Sequence, residues 1–476
     1  MKSLKSLASI LVLCIMVSFS GCSKSESIPG DVEINNFVWK GLNAYYFWQN
    51  EIPDLSDTKF SSQSQLNNFL RGYDTPDNLF YSLLNDYPNT DKYSWIVSDY
   101  VALENSFAGI NETNGMEFGL VQYASNPTNL FGYVRYVLPG SDAEGKGIIR
   151  GMIFNEVDGV QLTTTNFNTL LASTVTSYTI TLANYNAGDP TATATTITLL
   201  KSQLQENPVK IVTTFTEGAN KIGYIMYNQF VANYDGELNT AFATLQTEGI
   251  TDLIIDLRYN PGGSVRTASY LGSMITGQFS GELFSRQVWN TKVQANINES
   301  NFITNFSTQI NNGIISQNIN SLNLTRVYFI VTGSSASASE LLINSLNPYI
   351  DVSLVGTVTE GKNVGSITLY DSANYGRAGA NPNHTWAMQP ITFEVRNRDN
   401  VTVPAGFTPE VPFQEDYGNL GVLGDRNEPM LDRTITYILT GNRFSGDRMF
   451  VPRMEEISSS KLFTPTRNNM YTELEQ

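Results

Sequence analysis

The sequence predicts a multi-domain α+β protein: an N-terminal helical domain, then a β-rich module, then an α/β core. Three observations carry that reading. Aromatic and aliphatic residues recur at helical spacing across residues 32–100, short β-branched runs separated by glycine turns fill 114–204, and strands alternate with helices over 210–441. The length of 476 residues suits about three domains. A content of 41% hydrophobic and 11% aromatic residues supplies cores for them.

Residues 1–21 read as an export signal, because Lys2 and Lys5 precede an apolar run from Leu7 to Phe19 that is short for a membrane span. Phe19-Ser20-Gly21-Cys22 resembles the lipobox of bacterial lipoproteins, which implies that Cys22 carries a lipid anchor. Residues 22–31, rich in Ser, Lys and Glu, then form a tether. The expected location is the bacterial cell envelope, facing the periplasm or the exterior, with membrane contact through the anchor only.

In the helical cap, Trp39, Leu42 and Tyr46, then Leu66, Phe69 and Leu70, then Leu79, Leu83 and Leu84 predict three short helices, with Pro53, Pro76 and Pro88 near their boundaries. The cap is expected to carry no chemistry. In the β-rich module, 132–137, 152–157 and 177–182 read as strands. From 210, strands are predicted at 222–228, 253–257, 326–332 and 391–395, and helices over 238–245 and 430–439. An Asn-rich stretch, about 295–324, reads as a loop-rich insertion or lid. The tail 442–476 is polar, and after Arg443 nothing in it requires order.

Composition excludes several chemistries. With 45 acidic against 29 basic side chains and a net charge of −16, binding of nucleic acid through counterion release is not expected. His384 is the one histidine, so zinc sites built on several imidazoles are ruled out. It lies in the polar stretch 381–386 and is expected on the surface. Loss of Cys14 with the signal and lipidation of Cys22 would leave no thiol for catalysis. No metal and no cofactor is expected.

Two small-residue turns follow apolar strands: Asp256-Leu-Arg-Tyr-Asn-Pro-Gly-Gly263 and Ser335-Ala-Ser-Ala-Ser-Glu340. Residues on such turns face the cleft at the carboxyl edge of an α/β sheet. Together with Gly361-Lys362, and in this order, they resemble the C-terminal processing (tail-specific) serine peptidases, a family with a PDZ module ahead of the catalytic core. The resemblance covers roughly 114–441. It implies a ClpP/crotonase-like core, a polypeptide substrate, Ser337 as nucleophile and Lys362, 25 positions later, as general base. It also implies an oxyanion hole from the Ala338 N–H and one of Gly262 and Gly263. A lysine base must be buried, to bring its pKa down from about 10.4.

The string from Pro139 to Gly159 likewise resembles a PDZ domain, with Met152 where that family has Asp. Gly119, Leu120 and Val121 then fall where a peptide is captured as an added strand. Three positions depart from the peptidase pattern: Pro348 replaces a carboxylate, Ser366 a glutamine, and Glu360 an aromatic residue. Ser366 is a candidate to orient Lys362, and Glu360 a candidate to raise its pKa. These departures leave open a second reading, a peptide-binding lipoprotein with weak or no catalysis. Arg258 is expected to pair with Asp256 or Glu340 in a structural role.

Overall fold

The computed structural model describes residues 28–172, 174–443, 454–466 and 468–472. The export signal, Cys22 and most of the tether lie outside the described residues.

The core is a six-stranded sheet in the order Val209–Glu217, Asn220–Tyr227, Asp252–Asp256, Arg326–Val331, Asp351–Gly356 and Val411–Pro412. The first pair is antiparallel and the rest are parallel. Side chains alternate between its faces as strand geometry requires. Tyr224, Met226, Ile254 and Ile330 cluster with Met430, Leu431 and Ile435 of helix Pro429–Thr440. Their neighbours Ile225, Tyr227, Ile255 and Phe329 cluster with helices Asp235–Glu248, Val265–Thr276 and Ala338–Leu346. Burial on both faces explains why these strands read as continuous apolar runs.

Helix boundaries follow local chemistry. Ser264 caps Val265–Thr276 by accepting the Thr267 N–H, and Gly249 ends Asp235–Glu248 in the left-handed region at φ 64°. In the cap, the α-helices are Glu33–Tyr45, Gln63–Leu70 and Pro76–Ser82, the three that the spacing predicts, and Tyr100–Phe107 follows at its end. Pro76 takes the first helical position, where its missing N–H matters least.

The β-rich module is a sheet in the order Glu456–Ser459, Met116–Gln122, Leu130–Val137, Ile153–Val157, Ser177–Asn184 and Thr191–Leu200. Its first strand comes from the polar tail. A further six-stranded sheet joins Gly263–Ser264, Met470–Tyr471, Val364–Ser366, Ile391–Arg396, Leu283–Trp289 and Ile303–Asn305. The tail thus contributes to two sheets, at the edge of the first and between Gly263–Ser264 and Val364–Ser366 in the second, since strand pairing needs only backbone N–H and C=O groups. The Asn-rich insertion is anchored, not loose: Phe302, Phe306 and Ile310 are buried in the main core, and the Asn312 amide donates to Ala232 O and Asp235.

Candidate active site

Both small-residue turns sit where the central parallel strands end, and Asn260 ties them together. Its side-chain amide donates to Tyr227 O (2.8 Å), and its backbone carbonyl accepts from the Ala336 N–H (3.1 Å) and the Ser339 hydroxyl (3.1 Å). Ser337 follows immediately, as the residue before helix Ala338–Leu346. Its backbone is held at φ 64°, a left-handed conformation that strains a residue with a Cβ and is found most often at functional positions. Ser337 is fully buried, and its Oγ has no hydrogen-bond partner, which is rare for a buried hydroxyl.

Gly262 packs directly against this serine. A Cβ on Gly262 would lie 2.6 Å from Ser337 Cβ, 2.8 Å from its Oγ and 2.9 Å from Ala338 N. The absent side chain therefore lets the Gly262 backbone lie against the hydroxyl and the first-turn Ala338 N–H, a donor of the kind that stabilises an oxyanion. The Gly262 N–H itself is not available as a donor, because it bonds Asn260 Oδ1 at 2.9 Å. This corrects half of the expected glycine pair. Gly263 pairs in parallel with Met470 of the tail.

Lys362 is 1% exposed. Burial pushes its pKa down to about 7, against the attraction of Asp91, Glu360 and Glu340. The Nζ lies 4.6 Å from the centre of the Tyr93 ring and 6.0 Å from that of Trp95, and it donates to the backbone carbonyl of Asn468. Glu360 does not prevent this lowering. Its carboxylate accepts from Tyr93 Oη at 3.1 Å, and burial raises its own pKa.

Glu340 joins Lys362 and Ser337. Its carboxylate accepts the N–H groups of Ser337 (2.9 Å), Gly361 (2.7 Å) and Lys362 (2.8 Å), and the Thr359 hydroxyl (2.5 Å). Ser366 does not orient the lysine. Its Oγ lies 2.6 Å from Gln389 Oε1 and 3.0 Å from Asn469 Oδ1, in a buried polar cluster on the strand that follows.

Arg258 pairs with Asp256 (2.7 Å), Glu428 (2.7 Å) and Glu415 (3.2 Å) at zero exposure, so of its two expected partners only Asp256 is used. Arg150 of the β-rich module reaches the same group, through Glu415 (3.0 Å) and Tyr259 Oη (2.9 Å). His384 is not a free surface residue: its Nε2 lies 3.0 Å from Asp371, and its Nδ1 accepts from the Trp386 N–H. The helical region is not chemically silent either, since Asp91, Tyr93 and Trp95 surround the lysine. Sequence reading missed them because their partner lies some 270 positions away.

Residues 221–376 match Peptidase family S41, and residues 33–95 match the Peptidase S41 N-terminal domain. Two stretches of the chain are therefore similar to domains of peptidase family S41. It is similar to the carboxyl-terminal-processing protease of a Picosynechococcus strain, 26% identical over 225 residues, which is 47% of this chain and 49% of that protein. It is also similar to a probable CtpA-like serine protease of Staphylococcus epidermidis, 24% identical over 162 residues, 34% of this chain and 29% of that one. The chain thus spans half or less of the length of these curated relatives.

Among solved structures, a putative S41 protease from Bacteroides fragilis superimposes with a TM-score of 0.63 at 22% identity, over 88% of this chain and 99% of that one. The photosystem II D1 C-terminal processing protease gives 0.50 at 17% identity, over 85% and 100%. Both likenesses establish the fold.

Proposed function

We propose that the chain is an exported serine endopeptidase that hydrolyses peptide bonds with a Ser337–Lys362 dyad. The observation that carries this reading is Lys362, buried and with a pKa near 7, fixed through Glu340 to the same backbone cluster as Ser337. Neutral Nζ takes the Ser337 proton, and Oγ attacks the scissile carbonyl. The Ala338 N–H receives the developing oxyanion in the space beside Gly262. Lys362 then returns the proton to the leaving amine; water, deprotonated by the same lysine, attacks the acyl carbonyl, and the lysine passes that proton to Ser337 Oγ as the acyl–oxygen bond breaks.

The β-rich module is the PDZ-like part of this machine, capturing an extended polypeptide along Gly119, Leu120 and Val121. Lipid on Cys22 anchors the protein to the cell envelope. The test compares the wild type with Ser337→Ala and Lys362→Ala on an unfolded protein substrate. Cleavage by the wild type alone is the expected result, and equal background rates from all three folded proteins would overturn the peptidase reading. A second reading, a peptide-binding protein with weak chemistry, is favoured by one observation, the Lys362 amine engaged by Asn468 while Ser337 Oγ stands alone. Background rates from all three proteins would favour it.

A further inference from the structure

One segment of the chain fills both stations of the proposed peptide path. Glu456–Ser459 pairs antiparallel with Met116–Gln122, opposite Val121, Leu120 and Gly119. Farther along, Asn468 takes the Lys362 amine, Met470–Tyr471 runs parallel to Gly263–Ser264, and Thr472 N–H donates to Ser366 O. Between the module and the core lies an open cavity of about 800 Å³, lined by Arg135, Tyr259, Ser334 and Glu360 and, from the tail, by 454–459 and Asn468.

Glu456 is the polar latch of this segment. Its carboxylate meets Arg135 at 2.5 Å, Tyr133 Oη at 2.6 Å and Ser334 Oγ at 2.8 Å. Arg135 is 2% exposed and lies 4.5 Å from the centre of the Tyr259 ring, so without Glu456 a buried cation would lose its acidic partner. Ser334 belongs to the turn that precedes Ser337, and this places the latch between capture edge and nucleophile. Ser337 and Lys362 are themselves 0% and 1% exposed.

We propose that residues 454–472 are a built-in peptide ligand that occupies in cis the path of a polypeptide substrate, latched by Glu456 on Arg135. The proposal rests on the peptidase reading for the meaning of the path, but its test reads binding. Ligands of this path are extended peptides that bring an acidic side chain to Arg135 and add a strand at 119–121.

The experiment uses the full chain, as wild type and as Glu456→Lys, with a fluorescent synthetic peptide of residues 454–472 followed by anisotropy. The variant should bind the peptide about tenfold or more tightly than the wild type, whose path is filled, and a peptide that itself carries Glu456→Lys should bind weakly to both. Equal binding of the native peptide by both proteins, or none by a folded variant, would overturn the proposal. If Glu456→Lys fails to fold, amide exchange in Glu456→Gln decides. Faster exchange at 456–459 with 252–256 unchanged supports a displaceable ligand, and exchange that stays as slow as in the core overturns it. Peptide binding that follows the expectation while no variant cleaves substrate would sink the peptidase reading and leave this one standing.

Discussion

Replacing Gly262 by alanine probes the geometry of the site at its tightest point. The new methyl would stand 2.6 Å from Ser337 Cβ, 2.8 Å from Oγ and 2.9 Å from Ala338 N. The first and last of these neighbours are fixed by the end of the helix, so relief requires moving backbone. Overpacking of this kind destabilises by about 1–3 kcal/mol. The residue's φ of 111° adds strain for any side chain, about 1–3 kcal/mol.

The larger effect falls on catalysis, because the methyl occupies the space proposed for the oxyanion. Loss of one oxyanion contact lowers kcat by about 10²–10³, equivalent to about 2.7–4 kcal/mol. Initial rates on a fluorogenic unfolded protein, measured where urea titration shows the variant folded, give the comparison. Gly145→Ala is the control: no atom lies within 4 Å of its added Cβ, so its rate should match the wild type. A folded Gly262→Ala enzyme within about threefold of wild-type kcat, about 0.7 kcal/mol or less by transition-state arithmetic, would refute the placement of the oxyanion.

Other expectations follow from the same geometry. Lys362 accepts a proton only when neutral, so kcat/KM should climb about tenfold per pH unit below its pKa of about 7 and level off above it; a flat profile there would remove it as the base. The folded-state pKa lies below the unfolded one, so wild-type stability measured against Lys362→Met should rise with pH from about 7 towards 10.5, where the unfolded chain holds a proton the folded chain has lost. Tyr93→Ala admits water to the amine and should move the activity limb alkaline by about one unit, read from the same rate profile. Arg258→Met removes the cation shared by three buried carboxylates, leaving Asp256 without one and Glu415 with Arg150 alone, and should lower the urea-derived unfolding free energy by about 3–5 kcal/mol.

What the sequence made legible is what depends on near neighbours. The apolar strands at 252–256 and 326–331, the glycine turn and the helix after Ser337 are specified within a few residues, and their positions agree with the periodicity. The need for a buried Lys362 followed from its chemistry. Illegible were contacts whose partners lie far along the chain: Tyr93 and Trp95 at the lysine, and Glu415 and Glu428 at Arg258. The ordered tail was hidden for a different reason. Strand pairing at Glu456–Ser459 uses backbone groups, so a polar segment joins a sheet edge without the apolar alternation that announces a strand.

The partner of Arg258 bears on how the lysine stays near neutrality. If Arg258 had claimed Glu340, that carboxylate could not also have spanned Ser337, Gly361 and Lys362. Instead Arg258 is balanced by Asp256, Glu415 and Glu428, and it joins the strand ends to the β-rich module through Arg150. Glu340 is left to three backbone N–H groups and one hydroxyl, which hold its charge while burial pushes its pKa upward. A carboxylate solvated by those donors attracts the Lys362 ammonium less than an unpaired one would, and burial of the amine prevails. Separating the two networks lets one acid position the backbone of both Ser337 and Lys362 without holding the lysine in its charged form.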